Sequence, residues 1–418
     1  MPTSLGGREG NIRLPASTSV IAICRSHRPD ACMEIWRRNL GDPRCWQESH
    51  FREKRKAYNP RGYATRKSDE TILVMKQANK TEKPTAAERV ERRVSAKRKA
   101  TTPPEAKTQC FAGSEERLER LRAAARKDRK LKFNNLLHHI DESLLHEAYQ
   151  SLKKRAAAGV DGETWTSYGV SLARNLRQLH KRVHAGRYKA QPVLRKWLDK
   201  TDGTKRPLGI TCVEDKILQQ AMVWVLSSIY EQDFTGFSYG FRPGKSQHDA
   251  LDALYVAISQ RKVSYVLDAD IKGSYDHIDQ GQLMQFIAHR IVDRRILNLI
   301  EQTLQAGIIE EGQWQKSEMG ITQGAVISPH LANVYLHYTF DLWANQWRKR
   351  HARGEVYIIR YADDIITCFQ YKDDGERFRK ALEKRLEAFK LKLHPKKTKL
   401  IKFGRKHRHP LININHIT

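Results

Sequence analysis

The chain lacks the features that mark secreted and membrane proteins. Its 418 residues contain no apolar run approaching the roughly 20 residues of a transmembrane span. Residues 1–10 are polar, and no extended apolar segment follows them, which argues against a secretory signal. The six cysteines include no Cys-x-x-Cys pair, so we expect reduced thiols rather than a disulfide framework or a zinc site.

Acidic residues are scarce relative to basic ones. Lys and Arg number 76 against 47 Asp and Glu, which gives a formal net charge of +29. Such an excess favours a polyanionic partner, because basic side chains gain affinity by releasing counterions from a phosphate backbone. Attraction to a membrane is a second explanation of the charge. The hydrophobic content of 39% is enough for a core, and the length suggests two or three domains.

What the chain does contain is an acidic hairpin. Residues 356–369 form two runs of β-branched and aromatic residues around Asp363 and Asp364, a pattern that predicts a β-hairpin with two carboxylates at its tip. A second predicted strand, residues 263–276, also ends in carboxylates. Carboxylates that meet repel each other unless cations neutralise them, and two divalent ions about 3.5–4 Å apart catalyse in-line phosphoryl displacement. A metal-dependent site for phosphoryl transfer is therefore predicted where the strands meet.

A second pair of adjacent aspartates, Asp373 and Asp374, serves as a comparison. Its neighbours Lys372 and Gly375 are typical of an exposed turn after the hairpin, so we expect no metal there. An Asp-Asp pair by itself is a weak signal, because most such pairs lie in turns or on the surface. The second acidic strand is what distinguishes the pair in the hairpin.

These residues carry a resemblance to a known family. Tyr361-Ala362-Asp363-Asp364 after a hydrophobic strand resembles the signature hairpin of reverse transcriptases, and Asp-Ile-Lys-Gly-Ser-Tyr-Asp at 270–276 resembles their preceding acidic motif. From about residue 118 to residue 404 the order of motifs is similar to the reverse transcriptase/maturases encoded within group II introns. The resemblance implies an α+β fold, the fingers and palm of a right-hand polymerase, with an antiparallel palm sheet covered by helices. It also implies RNA-directed DNA polymerisation associated with intron splicing and mobility.

The resemblance assigns roles to the acidic cluster. Asp270, Asp363 and Asp364 match the carboxylates that hold two Mg²⁺ ions, for which Mn²⁺ is an alternative, and Asp268 is left as structural. Lys397 matches the family lysine near the pyrophosphate, where an ammonium stabilises the leaving group. A solvated basic strand is the alternative for that lysine.

Five positions match residues that contact the incoming nucleotide in the family: Lys200, Arg206, Tyr275, Gln323 and Gly324. The turn at residues 202–203 predicts a hairpin from which Lys200 and Arg206 face one phosphate, and a surface charge pair is the alternative. Tyr275 matches the aromatic gate that clashes with a ribose 2′-hydroxyl, and a core tyrosine is the alternative. Gln323 offers a donor and an acceptor, while Gly324 lets the backbone approach a nucleotide.

Three basic residues are candidates for contact with nucleic acid: Arg242, Arg126 and Lys127. Arg242 lies in residues 237–244, which resemble a segment that lies near the template path in the family. The surrounding residues 240–246 lack the first glycine of a nucleotide-binding P-loop, which excludes a P-loop ATPase. Arg126 and Lys127 lie on the basic side of a predicted amphipathic helix that begins near Ser114, and this side either faces RNA or is solvated.

The sequence divides into four predicted regions. Residues 1–113 are a basic, low-complexity segment that we expect to be largely disordered; an RNA-holding arm and a misassigned start codon are the alternatives. Residues 114–180 are a helical N-terminal extension, and residues 181–404 are the fingers and palm. Residues 405–418 are an atypical tail, so the resemblance implies that the thumb and maturase domain are absent and that the grip on a template–primer duplex is weakened.

The resemblance also implies partners and a location. The expected partners are an intron RNA template, a DNA primer or target, and deoxynucleoside triphosphates, with no membrane, in the cytoplasm of a bacterium or associated with its nucleoid. Oligomeric state is left open. Two other functions stay open: an RNA-binding, maturase-like splicing cofactor, and an inactive fragment of a degenerate intron-encoded protein.

Overall fold

The structure is a computed structural model that describes residues 86–91, 110–199, 203 and 205–403. Residues 197–207 belong to one compact unit, and the other described residues belong to a second, main unit. The predicted disorder of residues 1–113 concerns mostly positions outside the described residues, as do the predicted tail 405–418 and Lys200. The predicted boundaries at residues 113, 180 and 404 remain predictions.

Helices make up about half of the described chain, in which eight strands form two sheets. The helices are α1 (Ala86–Glu91), α2 (Cys110–Lys127), α3 (Glu142–Ser151), α4 (Trp165–Val170), α5 (Leu172–His184), α6 (Val213–Tyr230), α7 (Gln247–Gln260), α8 (Ser274–His277), α9 (Gln280–Ala288), α10 (Arg294–Gln305), α11 (Ser328–Leu336), α12 (Leu342–His351) and α13 (Lys372–Glu387). The strands are β1 (Val193–Asp199), β2 (Lys205–Ile210), β3 (Tyr265–Asp270), β4 (Ile308–Glu310), β5 (Gln313–Gln315), β6 (Val356–Tyr361), β7 (Asp364–Phe369) and β8 (Lys399–Lys402). None of the described helices is both long enough and apolar enough to cross a bilayer.

The palm sheet has the strand order β6-β7-β3-β8, and each neighbouring pair is antiparallel. Its strands come from the β-branched runs of the sequence, and β6 and β7 are buried along almost their whole length. The predicted α+β fold, with an antiparallel palm sheet covered by helices, is therefore confirmed. A second sheet has the order β2-β1-β4-β5, in which β1 pairs with β4 in parallel.

Helix α13 covers the palm sheet, as its apolar spacing predicts. Phe378, Leu382 and Leu386 recur at intervals of four, lie on one side of the helix, and are fully buried. Phe378 packs against Phe369 of β7 with ring centroids 5.4 Å apart. This contact ties the helix to the strand that carries one of the candidate carboxylates.

The expectation of an exposed turn at residues 372–375 is wrong. These residues form the first turn of α13, where acidic side chains are favoured by the helix dipole. Asp374 is fully buried and accepts hydrogen bonds from the backbone N–H groups of Arg353 and Gly354, while Arg377 pairs with it at 2.5 Å. The pattern was misleading because it does not reveal these partners, which come from a separate segment.

Helix α1 lies within the segment 1–113, yet it contributes to the core. Val90 and Glu91 are almost completely buried. The Glu91 carboxylate accepts a hydrogen bond from the backbone N–H of Ile358 on β6 at 2.9 Å and forms an ion pair with Arg348. The Tyr239 hydroxyl donates to the Glu91 carbonyl. Low local hydrophobicity hid this helix, because its anchoring contacts are polar and distant in sequence.

Two histidines are buried where α11 continues into a π-helical turn at His337–Asp341. His330 is 5% exposed and His337 is 2% exposed. Burial lowers the pKa of His330 to about 3 and that of His337 to about 4. Both imidazoles are therefore neutral in the folded protein at neutral pH, and each must be charged on acid unfolding.

We predict that these histidines make the fold sensitive to mild acid. A histidine has a pKa near 6.5 in the unfolded chain and a lower pKa in the folded protein, so between these two pH values the unfolded chain binds more protons. The free energy of unfolding therefore falls as the pH falls, by about 1.4 kcal/mol per pH unit for each histidine. His330→Gln should reduce this slope between pH 6.5 and 4.5, measured by urea unfolding at several pH values. His351→Gln, at an exposed position, is the control. An unchanged slope in the His330 variant would contradict the prediction.

Candidate active site

The register of the palm sheet brings the predicted carboxylates together. Asp270 on β3 lies opposite Asp364 on β7, and Asp364 also lies opposite Tyr361 on β6. Directly opposed residues of antiparallel strands have Cα atoms about 4.5–5.5 Å apart. Asp363 precedes Asp364 in the tight turn of the hairpin, after Ala362, whose φ is 54°. Two distant parts of the chain thus place three carboxyl groups at one end of the sheet.

The negative charges of these carboxylates repel each other. The pKa of Asp364 is raised to about 7 by desolvation from the surrounding protein, and then by the negative charges of Asp363, Asp270 and Asp268. The Asp364 side chain is exposed at the surface, so water screens part of these effects. A cation that binds here would relieve the repulsion.

The donor set fits divalent ions that prefer oxygen ligands. Lys397 already places a cation at the cluster, because its Nζ lies 2.6 Å from Oδ2 of Asp270. Asp363 accepts a hydrogen bond from Ser274 Oγ at 2.8 Å. Within the described ranges, no three His, Cys, Asp or Glu side chains already converge as a metal cage. The structure therefore shows the carboxylates gathered but engaged by protein neighbours.

Strand β8 and the segment before it bring Lys397 to this position. Lys399 lies opposite Asp268, and the backbone N–H of His394 donates to the Asp270 carbonyl at 2.7 Å. The hydrogen bond to Asp270 raises the pKa of Lys397, so its ammonium stays charged at neutral pH. This predicted residue is next to the carboxylates, while its role at a leaving group stays a prediction.

Ser274 was missed in the sequence, although it touches the cluster. It is buried at the start of α8, directly after Gly273, whose φ of 54° turns the chain out of β3. The adjacent Tyr275 is half-buried and packs against the core, and its carbonyl accepts from the N–H of Ile321 at 2.8 Å. A gate for the sugar and a core tyrosine both agree with this placement. The signal for Ser274 was its position four residues after Asp270, at the first turn beyond the strand.

The loop with Gln323 and Gly324 packs on the end of β2. The N–H of Gly209 donates to the Gln323 carbonyl at 2.6 Å. Gly324 has a φ of 107°, and a Cβ atom there would lie 2.6 Å from the Gly209 carbonyl oxygen, so only glycine fits. The Gln323 side chain is half-exposed, and its contact with a nucleotide stays a prediction.

The positions of the remaining predicted residues do not test their predicted contacts. Arg206 is exposed on β2 in the smaller unit, and its phosphate contact stays a prediction, as does that of Lys200. Arg126 and Lys127 are exposed at the end of α2, where Arg126 donates to Gln232 at 3.2 Å. Their RNA contact is also a prediction.

Arg242 has a structural set of partners rather than a surface position. It is 9% exposed, forms an ion pair with Glu231 at 2.9 Å, and donates to the carbonyls of Thr235 and Ser238. Its guanidinium also lies over the ring of Phe234. These contacts give Arg242 a role in shaping the loop, and its predicted phosphate contact stays a prediction.

The same loop supports the acidic hairpin from one side. The N–H of Tyr239 donates to the Arg360 carbonyl, and the N–H of Arg360 donates to the Phe237 carbonyl, both at 2.8 Å. Gly240 lies against the tip itself, because a Cβ atom at this position would overlap the backbone nitrogen of Ala362. Close backbone approach therefore requires glycine at position 240.

Comparisons with known proteins agree with this geometry. Residues 198–409 match the family model described as reverse transcriptase (RNA-dependent DNA polymerase). Protein YkfC of Escherichia coli (strain K12) is 31% identical over 309 residues, which are 65% of this chain and 81% of YkfC. The group II intron-encoded protein LtrA of Lactococcus lactis subsp. cremoris is 35% identical over 195 residues, 46% of this chain and 32% of LtrA. The putative COX1/OXI3 intron 2 protein of Saccharomyces cerevisiae is 29% identical over 218 residues, 52% of this chain and 25% of that protein.

We predict that Gly240→Ala destabilises the protein, because the added methyl group must displace the hairpin tip, at a cost of about 1–3 kcal/mol. Urea unfolding measures the change. Gly281→Ala is the control: the position is exposed on α9, where alanine favours the helix, and the added methyl group meets only the Asp279 side chain, at 3.2 Å. Equal stability of the wild type and the Gly240 variant would contradict the close approach.

Proposed function

Because the chain belongs to the group II intron reverse transcriptases and maturases, we propose that it is an RNA-directed DNA polymerase that extends a DNA primer on an RNA template. The observation that carries the proposal is the pairing of Asp270 with Asp364, beside Asp363, at the end of the palm sheet. Associated roles in intron splicing and mobility belong to the same proposal, which the similarity to intron-encoded proteins supports.

In this proposal Asp270, Asp363 and Asp364 hold two Mg²⁺ ions, or Mn²⁺ in their place. The bound ions would lower the pKa of the primer 3′-hydroxyl and stabilise the pyrophosphate leaving group. Ser274 orients Asp363 through its hydrogen bond. Lys397 supplies a charged ammonium beside Asp270, from which it neutralises charge on the leaving group or donates a proton to it.

In the same proposal, five residues select and hold the nucleotide. Half-buried Tyr275 precludes a ribose 2′-hydroxyl by contact, and Gln323 and Gly324 form the surface against which the nucleotide packs. Arg206 and Lys200 bind its triphosphate; Arg forms the two parallel hydrogen bonds that phosphate accepts. The substrates are deoxynucleoside triphosphates.

The template is proposed to be intron RNA. A formal charge of +29 favours a polyanion, and the exposed side chains of Arg126 and Lys127 offer phosphate contacts at the end of α2. The same charge, together with a carboxylate cluster that protein neighbours already engage, favours a second candidate, an RNA-binding splicing cofactor of the maturase type. The two candidates differ in whether the acidic cluster is needed.

The test is extension of oligo(dT) on poly(rA) by the full chain with dTTP and Mg²⁺. We expect Asp363→Ala to reduce extension about 1,000-fold, equivalent to about 4 kcal/mol of barrier, because the variant loses a metal ligand. Asp373→Asn is the matched control, since Asp373 belongs to the other aspartate pair and its side chain is 68% exposed. It should extend like the wild type.

The outcomes separate the candidates. If the wild type gives no metal-dependent product but binds intron RNA, the splicing cofactor replaces the polymerase. If it neither extends nor binds, the chain is an inactive fragment.

A further inference from the structure

We propose that Arg360 is a positioning residue of the catalytic hairpin, a role that rests on the proposed function. Arg360 holds the backbone at the tip and thereby sets the places of Asp363 and Asp364. It lies on β6, three residues before Asp363, and its side chain is completely buried. The sequence patterns assign Arg360 no catalytic or binding role, because it lies within the strand and not at its acidic end.

All five N–H donors of the Arg360 guanidinium are used. Nε and Nη2 donate to the two oxygens of Asp341, each at 2.7 Å, in the bidentate arrangement that fixes both side chains. Nη2 also donates to Ser238 Oγ at 2.7 Å, and Nη1 donates to Asn333 Oδ1 at 3.0 Å. The remaining donor reaches the carbonyl of Ala362 at 3.0 Å. A single buried cation thus joins three segments to the hairpin tip.

The bond to Ala362 bears directly on the carboxylates. Ala362 has a φ of 54°, a left-handed conformation that costs about 1–2 kcal/mol for a residue with a Cβ atom. This conformation turns the chain between Tyr361 and Asp363. Because its carbonyl is bound by a buried and otherwise saturated guanidinium, the turn has little freedom to relax. Asp363 and Asp364 leave this fixed turn.

The partner of Arg360 comes from an unusual element. Asp341 ends the π-helical turn His337–Asp341 between α11 and α12, and its side chain is completely buried. π-Helical turns are rare and often lie at functional sites. One extra residue in a helix rotates the residues after it by about 100°, which changes the side that Asp341 presents. The turn therefore serves to direct this carboxylate at Arg360.

The other partners connect the same cation to the supporting loop. Asn333 accepts from Arg360 through Oδ1 and donates through Nδ2 to the Gly240 carbonyl at 2.7 Å. Gly240 is the residue that lies against the Ala362 backbone. The tip is thus held by the hydrogen bond from Arg360 to the Ala362 carbonyl and by the backbone of Gly240, which lies against Ala362.

Stability alone does not explain such a network. Replacing a buried ion pair with apolar residues is often neutral or stabilising, because burying two charges costs desolvation. Another buried pair among the described residues is Arg290 with Asp233 at 2.9 Å, with side chains 3% and 8% exposed. Arg290 donates to the carbonyls of Asp128 and Leu131, and no contact joins it to the hairpin among the hydrogen bonds of the described residues. It is a matched control for the effect of burial.

The experiment compares Arg360→Lys with Arg290→Lys in the full chain. Lysine keeps the charge but cannot bind Asp341 with two parallel bonds and reach Ala362. We measure Mn²⁺ binding by electron paramagnetic resonance, counting only sites lost in Asp363→Ala, together with kcat, the KM for dTTP, and thermal stability. We expect the Arg360 variant to lose about 10- to 100-fold in Mn²⁺ affinity and in kcat, with a change in KM of less than about threefold. The Arg290 variant should lose stability but keep wild-type Mn²⁺ affinity and kcat.

Wild-type Mn²⁺ affinity and kcat in Arg360→Lys would overturn the positioning role. Asp341→Asn is the second variant, for use if lysine at position 360 prevents folding: it keeps the shape of the side chain but offers one acceptor oxygen in place of two, and the same losses are expected. The metal readout also separates two failures. A wild type that binds Mn²⁺ but does not extend a primer overturns the proposed function, while equal Mn²⁺ affinity in the wild type and both variants overturns the role of Arg360.

Discussion

Repulsion between carboxylates is the constraint on which the rest of the site depends. Burial raises the pKa of Asp364, and the negative charges of nearby Asp363 and Asp270 raise it further. A flexible chain would separate such charges. Here the antiparallel register fixes their backbones, and hydrogen bonds from Ser274 and Lys397 hold two of the side chains. The fold thus maintains a concentration of negative charge at one end of the palm sheet.

Support for the hairpin comes from segments far apart in the sequence. The loop that ends at Gly240 adds to β6 through backbone hydrogen bonds, and the π-helical turn contributes Asp341. Arg360 joins both to Ala362. In this arrangement the apolar core buries the network, while the Arg360 guanidinium, with all its N–H groups hydrogen-bonded, fixes the geometry of the tip. Polar groups in the interior therefore specify the shape of the turn, and the surrounding hydrophobic contacts make their hydrogen bonds strong.

The acidic hairpin and its partner strand could be predicted because each has a local sequence pattern, a β-branched run that ends in aspartates. The same holds for α13, whose apolar residues recur at helical spacing. Ser274 could not be assigned, since its bond to Asp363 spans 89 residues. Arg360 left a weaker signal, a charge inside an apolar strand, but its meaning depends on a π-helical turn that no local pattern encodes. Asp374 was misjudged for the same reason, because its partners lie in another segment.

Helix α1 gives the palm sheet a protected border. β6 is the outermost strand on its side, and outermost strands present unpaired N–H and C=O groups that recruit strands from other molecules. Glu91 occupies the N–H of Ile358, and the loop around Tyr239 occupies the backbone of Arg360. Without Glu91 the N–H of Ile358 would be open, while the loop would still cover the backbone of Arg360. Residues 86–91 thus help to cover the outer edge of the sheet, where a strand from a second molecule could otherwise pair.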